Sequence, residues 1–182
     1  MRRLSIRANL HFVDNAAPRL DVALDVSRIG RDLFPINIEI IRAILESAQE
    51  AWNSGSVEGV LDKYVEDIIY TTNTGGPKGE SVTIQGKENV RHRYLTAMEQ
   101  VESRSQIEYL RWDNGLVRTR LLVDMQHRET GVVLTTRLRQ IIRFRGFLIA
   151  EIQDFHDAAR LAAFWRFVGA TLEHPQQKTE SV

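Results

Sequence analysis

The stretch Asp154-Phe155-His156-Asp157 sets two carboxylates around an imidazole. These are groups that take up and return protons, so the first chemistry the sequence suggests is general acid/base work. In a strand, alternate side chains share a face, which places Ile152, Asp154 and His156 together. A carboxylate among apolar walls has its charged form destabilised and its pKa raised, as suits a group that must both accept and release a proton. Asp154 is therefore the expected catalytic acid/base, with His156 beside it to donate to it or orient it. Each has a plainer alternative. Asp154 could pair with Arg120 or Arg137 from a neighbouring strand, and His156 could be a wall residue held by a backbone carbonyl. Asp157 precedes "AARLAAFW", whose Leu161, Phe164, Trp165 and Val168 recur at helical spacing. It reads as the N-cap of that helix, its side-chain oxygen accepting from free first-turn amides.

Around this stretch a pocket is expected from Trp52, Tyr70, Tyr94, Thr119, His127, Thr136 and Gln140. Tyr64, Tyr109 and Trp112 supply further aromatic surface. His92, between Arg91 and Arg93, is expected in solvent, and His11 and His174 lie in the terminal segments. No His or carboxylate spacing matches H-x-H or H-E-x-x-H, so neither a metal nor a cofactor is expected. The loop "TGGPKG" (Thr74–Gly79) lacks the P-loop pattern and reads as a lid over the pocket.

The elements that must position these residues are legible as periods. Asn37 caps a helix carrying Ile41, Ile44, Leu45, Ala48 and Trp52, and "NSG" (Asn53-Ser54-Gly55) ends it. Ser56 opens a second helix with Val57, Val60, Leu61, Tyr64 and Val65 on one face. "DIIYTTN" (Asp67–Asn73) is β-branched and aromatic, hence a strand. "KENVRHRYLTAMEQV" is a third helix burying Val90, Tyr94, Met98 and Val101. From Ser103 onward, four strands follow with short turns at Asp113-Asn114-Gly115, Glu129-Thr130-Gly131 and Gly146. On Val132–Arg145 the set Val132, Leu134, Thr136, Leu138, Gln140, Ile142 and Phe144 faces inward, leaving Arg137, Arg139, Arg143 and Arg145 outside. On Leu116–Arg128, Val117, Thr119, Leu121, Val123, Met125 and His127 face inward, with Arg118, Arg120 and Asp124 outside. Helices first, then a meander, then one helix define an α+β fold.

Lys+Arg and Asp+Glu each number 24 in 182 residues, so no net positive field argues for nucleic acid or an anionic membrane as partner. The absence of cysteine removes disulfides and thiolate chemistry and fits a reducing compartment; the expected setting is cytoplasmic. No apolar run reaches the length that spans a bilayer, and the basic start "MRRLSIRANLHFVDN" does not read as a secretory signal. Residues 1–36 form an extension of uncertain order, where Leu20, Val22, Leu24 and Val26 alternate as an extra edge strand would. The domain itself is expected over 37–169, with a flexible tail over 170–182.

"AWNSGSVEGVLDKYVEDIIY", then "GKENVRHRYL", then a meander ending in "GFLIAEIQDFHD" resemble the nuclear transport factor 2-like superfamily, and within it the SnoaL-like and ketosteroid-isomerase-like groups. The resemblance covers about 38–168. It implies a cone: a strongly curved, mostly antiparallel sheet wrapped around the N-terminal helices, with a short C-terminal helix and an apolar pocket at the open end. It also implies a homodimer through the outer sheet face and a small apolar or cyclic ligand. The family's activities differ by site, and their catalytic positions fall on particular residues of this sequence. The isomerase positions fall on Thr72 and Ala48, which can supply neither the base nor the oxyanion donor. The epoxide-hydrolase positions fall near Arg120, Asp154 and Leu122. The dehydratase aspartate falls on Ala51 or Trp52. The cyclase Glu-His-Trp-Asp becomes Glu151-Ile152-Gln153-Asp154, keeping only the acid. Two readings follow: an isomerase, cyclase or hydrolase using Asp154, or a non-catalytic ligand-binding or assembly subunit like the small subunit of aromatic-ring dioxygenases.

Overall fold

The computed structural model of the protein describes residues 36–74 and 80–173. All of them belong to one compact unit, Phe34–Val182. The edge-strand alternation near Leu20, the lid residues 75–79, His11 and His174 lie outside the described residues.

Helix α1 (Ile38–Asn53) starts where Asn37 Oδ1 accepts from the Ile40 amide at 3.0 Å. It buries Ile41 and Leu45. Helix α2 (Val57–Leu61) starts at Ser56, whose Oγ accepts from the Gly59 amide at 3.1 Å. The two helices press together at Gly59, where an added Cβ would lie 2.8 Å from the Ala51 Cβ. Strand β1 (Tyr64–Thr72), strand β2 (Val82–Gln85), helix α3 (Lys87–Gln100), strands β3 (Val101–Asp113), β4 (Leu116–His127), β5 (Val133–Arg145) and β6 (Leu148–His156), and helix α4 (Ala158–Glu173) complete the chain order. The β3–β4 turn puts Asn114 and Gly115 at φ of 50° and 74°, the left-handed pair that a tight hairpin demands.

The sheet runs β2-β1-β6-β5-β4-β3. Only the β1–β6 pair is parallel. Helix α3 packs against both β1 and β3, which stand four strand spacings apart. The register shifts at Tyr64/Ile69, Ile107/Tyr109 and Arg143/Phe144 are places where the strands bend. The fold is thus the α+β cone expected, with one small pair of corrections at each helix–strand seam. Tyr64 and Val65 open β1 rather than extending α2, and Val101 opens β3 rather than closing α3. Strand β2 falls in the Gly/Pro-rich stretch "TGGPKGESVTIQG", whose composition reads as loop, and was not anticipated.

The main core gathers Ile41, Leu61, Ile68, Val90, Val117, Ile142 and Ile149, all essentially sealed from solvent. Each such side chain contributes about 1.5–3 kcal/mol on burial. A smaller cluster joins Val101 to Phe164 and Val168 of α4, with Met125, Val132, Leu134 and Leu161 packed against it. Asp157 Oδ1 caps α4 by accepting from the Arg160 amide at 3.1 Å. The helix continues through Glu173. Burial along β4 and β5 alternates as the sequence indicates.

Candidate active site

Strand alternation aims polar side chains into a space that the helices do not fill. Between the inner sheet face and α1, α3 and α4 lies a cavity of about 310 Å³. Its walls are largely apolar, with Trp52, Tyr64, Tyr70 and Tyr94 on one side and Leu121, Leu138, Ile142 and Ile152 on another. Edge-to-face contacts lock the aromatic wall: Tyr94 meets Trp52 at 5.3 Å and Tyr70 at 5.8 Å between ring centroids. Tyr64 and Tyr94 share a hydroxyl–hydroxyl hydrogen bond of 3.0 Å.

Asp154 sits in this cavity, 7% exposed. Tyr70 Oη donates to its Oδ2 at 2.9 Å, and Gln140 Nε2 donates to its Oδ1 at 2.9 Å. Thr119 Oγ1 in turn donates to Gln140 Oε1 at 3.0 Å, which fixes which end of the amide faces the carboxylate. Burial is the largest influence on Asp154 and pushes its pKa up; His156, Gln140 and Tyr70 oppose it. Burial drives the Tyr70 and Tyr94 hydroxyls upward, so both stay protonated donors. His156 also lines the cavity. Burial holds its pKa below the usual histidine value, against the pull of Asp154, so the ring is neutral near pH 7.

The end of β6 is held from β1. Asn73 Nδ2 donates to the His156 carbonyl at 3.0 Å, Asn73 Oδ1 accepts from the His156 amide at 2.8 Å, and the Asn73 amide donates to the Asp154 carbonyl at 3.2 Å.

Of the residues expected at the site, Asp154, His156, Trp52, Tyr70, Tyr94, Thr119 and Gln140 meet at the cavity. His127 and Thr136 do not line it. His127 is buried at the β4–β5 hairpin end, where its Nδ1 lies 3.0 Å from Thr130 Oγ1 and its ring meets Trp165 edge-on. Its nearness to the turn "ETG" was the available signal for that role. Thr136 is buried with a hydroxyl that has no partner among the described residues. The arginine pairing considered for Asp154 is absent: Arg120 and Arg137 instead both bind Glu108 on the outer face, at 3.0 and 2.9 Å. Arg93, which the sequence reading did not single out, lines the cavity. The spacing Arg93, Ala97, Gln100 beside the buried Tyr94 was the signal that could have found it. Among the described residues no cluster of His, Asp or Glu is arranged to hold a metal.

No protein-family model and no curated protein sequence matches the chain. Solved structures do. An LEH-like epoxide hydrolase of M. tuberculosis superposes with a TM-score of 0.60 at 16% identity, covering 78% of this chain and 99% of that one. A protein with a ketosteroid isomerase-like fold from Catenulispora acidiphila, solved with trimethylamine, gives 0.59 at 15%, covering 66% and 89%. A nuclear transport factor 2-like protein from Burkholderia xenovorans gives 0.58 at 17%, covering 71% and 98%. The unit has the nuclear transport factor 2-like fold. That fold hosts unrelated chemistries, so function has to come from the site.

Proposed function

We propose that the unit is an enzyme that moves a proton on a small apolar or cyclic molecule, with Asp154 as acid/base. One observation carries this: a buried carboxylate faces a roughly 310 Å³ cavity and is held by neutral donors, not by a cation. A carboxylate offers about four lone-pair sites, and Tyr70 and Gln140 use two, which leaves capacity for a substrate proton. Desolvation strengthens Asp154 as a base, and the two donors fix its plane relative to the substrate. The proton taken from one substrate atom can be returned at another, which is isomerisation, or can accompany ring closure, which is cyclisation. Epoxide hydrolysis is the weakest variant, because Arg120 is committed to Glu108 on the opposite face. His156, neutral through burial, supports the reading as a second proton acceptor within the same cavity.

A rival reading, a ligand-binding or assembly subunit without catalysis, draws on the fact that both Asp154 oxygens are already hydrogen-bonded. A dimer through the outer sheet face belongs to either reading and is supported by exposed Ile69, Tyr109 and Phe155 there; sedimentation of the purified chain checks it. The functional test starts with mass spectrometry of whatever apolar molecule co-purifies. Asp154→Asn should bind that compound or its analogues and fail to convert them. Full turnover by Asp154→Asn would sink the enzyme reading.

A further inference from the structure

We infer that Arg93 makes this cavity selective for ring compounds that carry a carboxylate. The inference rests on the reading above that the cavity binds a small molecule, and it names the chemical class.

Apart from the neutral His156 ring, the cavity wall has only two charged side chains among the described residues, Asp154 and Arg93. Asp154 has its two donors. Arg93 has no ion pair and no hydrogen bond among the described residues, whereas Arg91, two residues earlier on the same helix, binds Glu58 and Glu88. Arg93 is half-buried on α3. A guanidinium in that position has lost part of its water and gained no anion from the described residues, which is unfavourable unless something else supplies one. Its five donors in a planar fork match a carboxylate in two-point geometry.

Arg93 and Asp154 act on the same inner groups: His156 and Tyr70 each feel both charges. Thr96, Ala97 and Gln100 continue the wall along α3 from Arg93, and apolar and aromatic side chains make up most of the rest. A ligand that suits this lining has a carboxylate for Arg93 and a flat or cyclic hydrocarbon body against the apolar and aromatic walls.

The test uses the whole chain and two matched probes, naphthalene-2-carboxylate and naphthalene-2-carboxamide, titrated by quenching of tryptophan fluorescence, since Trp52 and Trp165 line the cavity. The carboxylate should bind at least about tenfold more tightly, as a charge-assisted pair allows. Arg93→Met and Arg93→Gln should both erase that preference while still binding the carboxamide, and Arg93→Lys should keep part of it. A preference absent in the native chain, or unchanged in both Arg93 variants, overturns the inference and leaves the cavity reading standing. Failure of both probes to bind the native chain overturns the two together.

Discussion

The two faces of one sheet treat a carboxylate in opposite ways. On the outer face, Glu108 lies between Arg120 and Arg137 and is held below its ordinary pKa, chiefly by the Arg137 hydrogen bond. On the inner face, Asp154 meets only neutral donors and is pushed above its ordinary value by burial. The outer pair is satisfied charge in water, which contributes little and does no chemistry. The inner group is charge kept short of compensation, which is what a proton-transfer site requires. Strand alternation alone separates the two, since a one-residue slip would exchange the faces.

Substitutions that sharpen this contrast differ in size. The largest effect should come from Asp154→Asn, which should lower turnover by about 10²–10⁴-fold, the usual contribution of a positioned acid/base. Glu108→Gln should leave turnover unchanged, and a comparable loss there would break the contrast. Asp154→Asn should leave the melting temperature at neutral pH unchanged or raise it, because it removes a charge that burial disfavours.

Next comes Tyr70→Phe. It removes a donor from a buried carboxylate and should cost about 1–3 kcal/mol in denaturant unfolding. It should also move the acid limb of the pH–rate profile upward, since the Tyr70 hydrogen bond lowers the Asp154 pKa. An acid limb that stays in place would show that Tyr70 does not act on Asp154.

Linkage gives a third contrast. The native state holds the Asp154 proton to higher pH than the unfolded chain does, so that contribution is present in acid and is lost as pH rises through the raised value. Glu108 runs the other way: its contribution is present above the ordinary carboxylate range and is lost as pH falls through the depressed value. His156, with a lowered pKa, contributes above the ordinary histidine value and loses that contribution as pH falls below it. In unfolding measured across the acid range, Asp154→Asn and Glu108→Gln should change the slope with opposite signs. Slopes of the same sign would contradict the two environments. The smallest effect is ionic strength: raising salt should weaken the Glu108 pairs and leave the Asp154 cluster, screened from solvent, nearly untouched.

How much of this could be read in the residues depends on range. The caps Asn37, Ser56 and Asp157 act within three residues and were legible, as was the inward set of β4 and β5, fixed by a period of two. The seams misled because an apolar helical spacing ran on across them. Val90, Tyr94, Met98 and Val101 keep the period although the backbone turns extended at Val101, at φ −129°. Strand β2 is four residues long and escapes any period. Asp154 and His156 were legible as a shared strand face. Their partners were not, because Tyr70 is 84 residues away and reaches Asp154 only through the parallel β1–β6 pairing. His127 and Thr136 satisfied the inward rule but lie beyond the cavity, since alternation gives a face and not a depth.

The Asn73 side-chain amide offers one donor and one acceptor to His156, the same two groups a further strand residue would offer. The side chain therefore stands in for backbone and lengthens the β1–β6 ladder by a rung after β1 itself has ended at Thr72. In the language of solvent exchange, this shields the His156 amide, so its hydrogen should be released only with the opening of the sheet. The last residue of β6, next to the Asp157 cap of the helix beside the cavity, then moves with the sheet and not with the helix.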